Sequence, residues 1–350
     1  MSTSLAHATH IFEILGLSIT MAFILSPFGV RLARKLNLID IPGSSSHKRH
    51  KYPTPLAGGM VLIISLFAIA TFFLLWDDPQ IRAILVSSVI IFGFGLWDDF
   101  QGLSASQKIF GQVLASVLLI WLGVSVHFVE NIHLSLLTDN MVSLGNWGIT
   151  IFWLVVVTNA FNLIDSMDGL AIGLGGIAFA FFTVISFASG QSTLSSLSAI
   201  LLGICIGLYF YNISPAHLFL GDSGSQMLGF ILASIAILYN PEGLPQASSW
   251  FVPILLLGVP LFDTTLVVFS RLYRYKPIFQ SDLGHTYHRL IRLGLDSRRA
   301  VLLMHTCALL LSCVAIVALS MNHFVSNTLF FVTITIGLFV LLFLGLKPID

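Results

Sequence analysis

Charge is what this chain has least of. Only 9% of its 350 residues are Asp, Glu, Lys or Arg, while 56% are hydrophobic; a soluble domain carries about 25% charged residues. So few charges cannot coat a soluble particle of this size, which excludes a soluble enzyme and leaves the apolar residues to face lipid. An excess of either sign is missing too. The 16 basic residues balance the 16 acidic ones, so no nucleic-acid or other polyanion partner is expected. Cysteine is scarce as well. Cys205, Cys307 and Cys313 lie inside apolar runs without CxxC or metal-ligand spacing, which argues against a disulfide framework and a zinc site. Internal repeats and low-complexity tracts are absent, so residues 1–350 read as a single polytopic membrane domain.

Long apolar runs, by contrast, recur along the whole chain. Eleven stretches, near 11–30, 57–75, 81–97, 108–125, 148–163, 170–188, 194–211, 225–239, 250–270, 300–320 and 326–346, have about the length needed to cross a ~30 Å hydrocarbon core. Lipid offers no partner to a free backbone group, and the runs lack the alternation of a barrel strand, so each is expected to be a helix. The expected fold is an all-α integral membrane protein, a bundle of about eleven transmembrane helices. The first run is too long and too polar at its ends for a cleaved signal peptide, and is expected to stay as an anchor. Short cytoplasmic loops collect Lys and Arg. With the N-terminus outside, fifteen of the 16 basic residues fall on the cytoplasmic side, and only Arg82 falls on the other. Lys347 is among the fifteen, so the C-terminus is cytoplasmic and the number of spans odd.

The same topology sorts the acidic residues. Asp40, Asp98, Asp99, Asp165, Asp168, Asp222, Asp282 and Asp296 lie at or beyond cytoplasmic helix ends, five of them closely followed by glycine in the segments 95–102, 162–169 and 220–225. Asn159, Asn162, Asp165 and Asp168 recur every three residues and are expected to form one polar stripe near the end of the fifth helix. Ionisable groups are costly in a membrane helix and usually functional; an interfacial cap is the alternative. Asp98 and Asp99 repel each other unless a cation or proton sits between them, although charged residues also simply mark membrane boundaries. The segment around Asp222 opens the eighth helix, where free N–H groups favour an anion such as phosphate and Asp222 repels it. A divalent cation held jointly by protein and phosphate oxygens resolves that conflict, and a hard donor set without His or Cys points to Mg2+, or Mn2+ in its place. A simple N-cap turn is the competing account.

The largest cytoplasmic loop, 271–299, places His285, His288, Arg289 and Arg292 at i, i+3, i+4 and i+7. The spacing predicts a short helix with a cationic, imidazole-bearing face toward a diphosphate, and Tyr287 turned away against the membrane or the bundle. Topology alone accounts for the arginines but not for the histidines. Lys51 and the run from Pro53 to Gly59 read as an extended linker before the second helix.

In this order and on one side of the membrane, these five segments resemble the polyprenyl-phosphate N-acetylhexosamine-1-phosphate transferase family (glycosyltransferase family 4). The likeness is greatest to the bacterial branch that moves GlcNAc-1-phosphate from UDP-GlcNAc to undecaprenyl phosphate, and it runs from about Arg31 to Leu295. Its carriers are Asn-Xaa-Xaa-Asp-Xaa-Xaa-Asp-Gly from Asn162, Gly-Asp-Ser-Gly-Ser from Gly221, and the Asp98-Asp99 pair. The resemblance implies a phosphoglycosyltransferase of the bacterial inner membrane, active on the cytoplasmic face, that takes a UDP-sugar and a polyprenyl phosphate lipid and starts a lipid-linked envelope glycan. It implies Asn162 and Asp222 as Mg2+ ligands and Asp98 and Asp99 as the catalytic pair. Lys51, Asp165, Asp168 and Phe219 match the uridine pocket, and His285, His288 and Arg289 match the groups facing the diphosphate and sugar. Relatives often carry a third histidine where this chain has Tyr287, which loosens the inference to GlcNAc over another N-acetylhexosamine. The residues leave monomer and homodimer both open.

A transporter is the rival class. Transporter sites favour the midplane and inverted repeats; the only candidate near the hydrophobic interior is Asp263, and no repeat accompanies it. A structural scaffold gives no reason for eight acidic residues to gather on one face.

Overall fold

The computed structural model describes residues 2–42, 52–128, 138–241, 249–275 and 284–346. Lys51, Lys276, Asp282 and Lys347 lie outside the described residues. Within them the chain forms helices α1 (Ser2–Lys35), α2 (Gly58–Phe72), α3 (Pro79–Gln101), α4 (Ala105–Trp121), α5 (Asp139–Ile164), α6 (Leu170–Ala188), α7 (Ser192–Asn212) and α8 (Gly221–Leu238). Beyond these come α9 (Val252–Leu256), α10 (Gly258–Tyr273), α11 (Thr286–Arg292), α12 (Ser297–Leu319) and α13 (His323–Gly345). Eight of them, α1, α3, α5 to α8, α12 and α13, are long and apolar enough to cross a membrane, and α2 and α4 are shorter apolar helices. The chain is thus an all-α, multi-pass membrane protein.

Every apolar run of the sequence is helical, but the run at 250–270 is divided between α9 and α10 at Leu257. The prolines explain the break. Pro253 suits the first turn of α9, whereas Pro260 has no N–H to bond the carbonyl of Leu256, so the helix cannot run straight through.

The core is layered around α8. Of its apolar window 78% is buried, against 22% for α13, whose Phe324, Phe331, Phe339 and Phe343 remain exposed as a lipid-facing surface. On the far flank α1 lies along α7. A Cβ on Gly203 would stand 2.5 Å from Ser18 Cβ, and one on Gly207 2.7 Å from the carbonyl oxygen of Ile19; small residues four apart let the two backbones touch. Some buried hydroxyls are satisfied within their own helices, as with Ser18 and Ser234, which donate to Ile14 O at 2.7 Å and Phe230 O at 2.8 Å.

A small ribbon fixes one end of the bundle. Strands β1 (Ile39–Asp40) and β2 (Thr54–Pro55) pair antiparallel, with Ile39 opposite Pro55. Phe219 N–H then donates to Pro55 O at 2.9 Å, and the amides of Ala57 and Gly58 both donate to Phe219 O at 3.1 and 2.9 Å. The segment read from the sequence as a linker is therefore a clamp joining the start of α2 to the start of α8. Its backbone bonds were invisible to side-chain patterning.

Candidate active site

At the clamped end lies a cavity of about 1680 Å³. Helices α3, α5, α7 and α10 bring their C-terminal ends toward it, and α2, α4, α6, α8 and α12 their N-terminal ends. Asp98, Asp99, Asn162, Asp165, Asp168, Phe219, Asp222, His285 and His288 all line it, so residues up to 190 positions apart in sequence share one wall system. Lys51, expected beside the uridine, is outside the described residues.

The acid pair occupies the last turn of α3. Asp98 Oδ1 accepts the Leu103 N–H at 2.5 Å, which ends the helix. Asp99 faces α8 and is consumed by it: Oδ1 accepts Asp222 N–H at 2.7 Å, and Oδ2 accepts Ser223 N–H at 3.1 Å and Ser223 Oγ–H at 2.6 Å. It caps the orphan amides of another helix with both of its carboxyl oxygens. Gly221 makes this approach feasible. Its φ is +71°, and an added Cβ would stand 2.6 Å from Asp99 Oδ2.

Asp222, presented by that first turn, meets two partners. Asn162 Nδ2 donates to its Oδ1 at 2.8 Å and also to Ser225 Oγ at 3.1 Å. The Lys108 ammonium pairs with Asp222 Oδ2 at 2.6 Å and with Asp98 Oδ2. Lys108 thus bridges the carboxylates of α3 and α8, a role that sequence patterning, in which it counts only toward topology, does not give it. Its position ten residues after Asp98, at the very start of an apolar run, was the available signal.

The expected stripe is half helical. Asn159 and Asn162 lie on α5, but the helix stops at Ile164, and Asp165 and Asp168 belong to the turn that enters α6. Asn159 goes to a buried amide network, with Nδ2 donating to Gln112 Oε1 at 2.6 Å and Gln112 Nε2 donating to Gln226 Oε1 at 3.1 Å. Gly169, at φ +78°, turns the chain; Asn212 accepts its N–H at 2.9 Å, and Asp168 Oδ2 accepts Ala216 N–H at 3.2 Å. Withdrawal from water, assisted by the charges of Asp222, Asp99 and Asp168, pushes the Asp165 carboxyl well above the usual carboxylate range.

The 271–299 loop differs most from expectation. Helix α11 begins at Thr286, with His285 as the residue before it, so projecting one helical face from His285 misplaces the later residues. His285, Tyr287 and His288 line the cavity, and Arg289 does not. Tyr287, expected to face away, instead pairs its hydroxyl with His288 Nε2 at 2.7 Å. Arg289 is buried: Nε donates to Gly284 O at 2.8 Å, Nη2 to Ser270 Oγ at 2.9 Å, and Nη1 to Leu344 O. Where the sequence places it toward a diphosphate, its guanidinium here bolts the loop to α10 and the end of α13. Arg271 and Arg298 line the cavity in its stead.

Among the described residues no three Asp, Glu, His or Cys side chains form a ready metal-binding group. The Asn162–Asp222 contact nevertheless suits one. An amide oxygen and a carboxylate are hard donors of the kind Mg2+ takes. Asn162 now presents Nδ2, and a half-turn of its amide presents Oδ1 instead; phosphate oxygens and water would complete the shell.

The family model described as Glycosyl transferase family 4 matches residues 81–240, the stretch that carries the cavity's acidic residues from Asp98 to Asp222. Over 322 residues, 91% of this chain and 87% of the relative, the sequence is 33% identical to the "Probable undecaprenyl-phosphate N-acetylglucosaminyl 1-phosphate transferase" of Bacillus subtilis (strain 168). It is 30% identical over 304 residues (78% of this chain, 74% of the relative) to the decaprenyl-phosphate N-acetylglucosaminephosphotransferase of Mycobacterium tuberculosis. To the phospho-N-acetylmuramoyl-pentapeptide-transferase of Staphylococcus epidermidis it is 32% identical over 284 residues, 76% of this chain and 84% of that one.

Proposed function

The chain belongs to glycosyl transferase family 4, in its polyprenyl-phosphate N-acetylhexosamine-1-phosphate transferase branch, and from that premise we propose that it moves GlcNAc-1-phosphate from UDP-GlcNAc to undecaprenyl phosphate. A phosphate oxygen of the lipid forms a new bond to the β-phosphorus of the donor, the bond from that phosphorus to UMP breaks, and a lipid-linked diphosphate sugar remains. The observation that carries the reading is the convergence of the Asp98-Asp99 pair, the Asp165–Asp168 turn, the start of α8 and the histidine loop on one cavity.

Both reactants are anions. Like charges ~4 Å apart repel by about 4 kcal/mol per pair near a protein surface, so the cavity must neutralise charge as well as align the reactants. Lys108 and Arg271 stand along its wall for that purpose, beside the imidazoles of His285 and His288. Mg2+, held by Asn162 Oδ1 and the Asp222 carboxylate together with the diphosphate, would supply charge neutralisation at the transferred group. The carboxylates divide the remaining work. Asp99 is committed to the amides of α8, which leaves Asp98 to orient the lipid phosphate and take up any proton it carries. Asp165, Asp168 and Phe219 form the nucleotide end of the cavity.

The fifteen-to-one distribution of basic residues supports an external N-terminus, a cytoplasmic C-terminus and about eleven crossings. The cavity then opens on the cytoplasmic face of the bacterial inner membrane. A soluble donor meets there an acceptor whose tail stays in lipid. The transporter alternative loses its one residue, since Asp263 is paired with His285, and the relatives are named as transferases.

UMP release by purified protein with undecaprenyl phosphate tests the reading. UDP-GlcNAc should be turned over and UDP-MurNAc-pentapeptide rejected. Turnover of only a different UDP-N-acetylhexosamine would replace the donor and keep the reaction class; no UMP from any of them would refute the function.

A further inference from the structure

Asp263 does not line the cavity, yet it is the most completely buried carboxylate among the described residues. It lies on α10. Both its oxygens are engaged with the start of the histidine loop. Oδ2 meets His285 Nδ1 at 2.8 Å, and Oδ1 accepts the Thr286 N–H at 2.6 Å. An isolated buried carboxylate is strongly disfavoured, so these contacts hold Asp263 as firmly as Asp263 holds them.

The consequence reaches the cavity through His285. An ionised carboxylate can only accept, so the nitrogen facing it must carry the hydrogen. That fixes the imidazole as the Nδ1–H form and sets the plane of the ring. His285 lines the cavity, and with Nδ1 turned to α10, Nε2 is the nitrogen left for whatever the cavity holds. The Thr286 bond seats the first amide of α11 on the same carboxylate, so ring and helix are placed by one group. His288 is held differently, through Nε2 to the Tyr287 hydroxyl.

We propose that Asp263 is a positioning residue for the donor, which presents His285 Nε2 as a hydrogen-bond acceptor to a hydroxyl or the acetamido N–H of the sugar on the bound nucleotide sugar. This rests on reading the cavity as a UDP-sugar site, and the test separates the two. On the full chain in lipid nanodiscs, UMP release is measured for the wild type, Asp263→Asn, His285→Ala and the double variant. Asn keeps the volume and an acceptor for Thr286, but turns its NH2 toward His285 and imposes the opposite tautomer. Asp263→Asn should lower kcat/KM for the UDP-sugar at least tenfold in the wild type and less than threefold in the His285→Ala background. Asp263→Glu, still only an acceptor, should recover part of the loss. Equal losses in both backgrounds, or no loss in the wild type, would overturn the proposal, since a merely structural support acts whether or not His285 is present. A second measurement needs no variant at 263 and no turnover. In 15N-histidine-labelled protein, the His285 ring signals, assigned by their absence from His285→Ala, should show a protonated Nδ1. A bare Nδ1 would sink the role of Asp263 alone, whereas a protonated Nδ1 in a wild type that releases no UMP would sink the donor-site reading and this role with it.

Discussion

Replacing Gly221 by alanine tests the geometry of the acidic cluster more sharply than removing a carboxylate, because it leaves every charge in place. Gly221 adopts φ +71°, a conformation that costs a residue with a Cβ about 1–2 kcal/mol. The new methyl would stand 2.6 Å from Asp99 Oδ2 and 2.8 Å from Oδ1, so the carboxylate must withdraw from the amides of Asp222 and Ser223. Hydrogen bonds to a charged group are each worth about 1.5–3 kcal/mol. Losing one of them together with the backbone strain amounts to about 2.5–5 kcal/mol, and Asp222 moves with the turn that carries it. At 1.4 kcal/mol per tenfold, a third of that disturbance expressed at the reacting groups lowers kcat about tenfold, and the rest appears as a fall in Tm. Gly93→Ala is the control, since an added Cβ there meets nothing within 4 Å and a helical Gly→Ala change is neutral or mildly stabilising. The assay is UMP release beside thermal unfolding of both variants in the same detergent. Wild-type kcat and Tm in Gly221→Ala would refute the claim that Asp99 builds the start of α8.

Asp222→Asn should abolish turnover while the protein still folds and purifies normally, and chelation of divalent cations should do the same to the wild type; near-normal rates for that variant in EDTA would eliminate the metal. Asp98→Asn should lower kcat more than it raises the donor KM, whereas Asp168→Asn should chiefly weaken nucleotide binding, and the reverse pattern would show the two roles exchanged. A cysteine introduced at the exposed Ser297 should label only from the cytoplasmic side, and labelling from outside alone would invert the topology.

Much of the site was legible because its chemistry is written in residue types that lipid does not tolerate without reason. Asp98, Asp99, Asn162, Asp165, Asp168 and Asp222 stand out of apolar surroundings, and all of them meet at the cavity. What could not be read depends on where helices begin and end. The period of three from Asn159 to Asp168 continued past Ile164 only in sequence; in space it crosses from helix to turn. Arg289 looked cationic and available because its three acceptors, the carbonyls of Gly284 and Leu344 and the Ser270 hydroxyl, are contributed by separate segments, and no local pattern announces them. The clamp from Pro53 to Gly59 works through backbone groups, to which side-chain periodicity is blind.

The crowding of so many carboxylates into one cavity isolates Asp165. Asp98 and Asp222 share the Lys108 ammonium, Asp99 has three donors on α8, and Asp168 has the Ala216 amide. Asp165 is surrounded instead by the charges of Asp222, Asp99 and Asp168, and with its withdrawal from water these raise its pKa in the folded chain. Linkage gives the sign of the effect on stability. Between the ordinary carboxylate pKa and the raised one, the folded state binds more protons than the unfolded state, so this group's contribution is full at low pH and is lost as pH rises through the raised value. Asn at 165 keeps the shape and carries no charge, and it should remove that slope. In EDTA, the Tm of the wild type should therefore fall relative to Asp165→Asn as pH is raised from the carboxylate range toward neutrality and beyond, a difference in which titrating groups remote from this cluster cancel. Parallel Tm curves for the two proteins would mean that Asp165 ionises as freely as a carboxylate in water, and that the cluster is less crowded with charge than its geometry indicates.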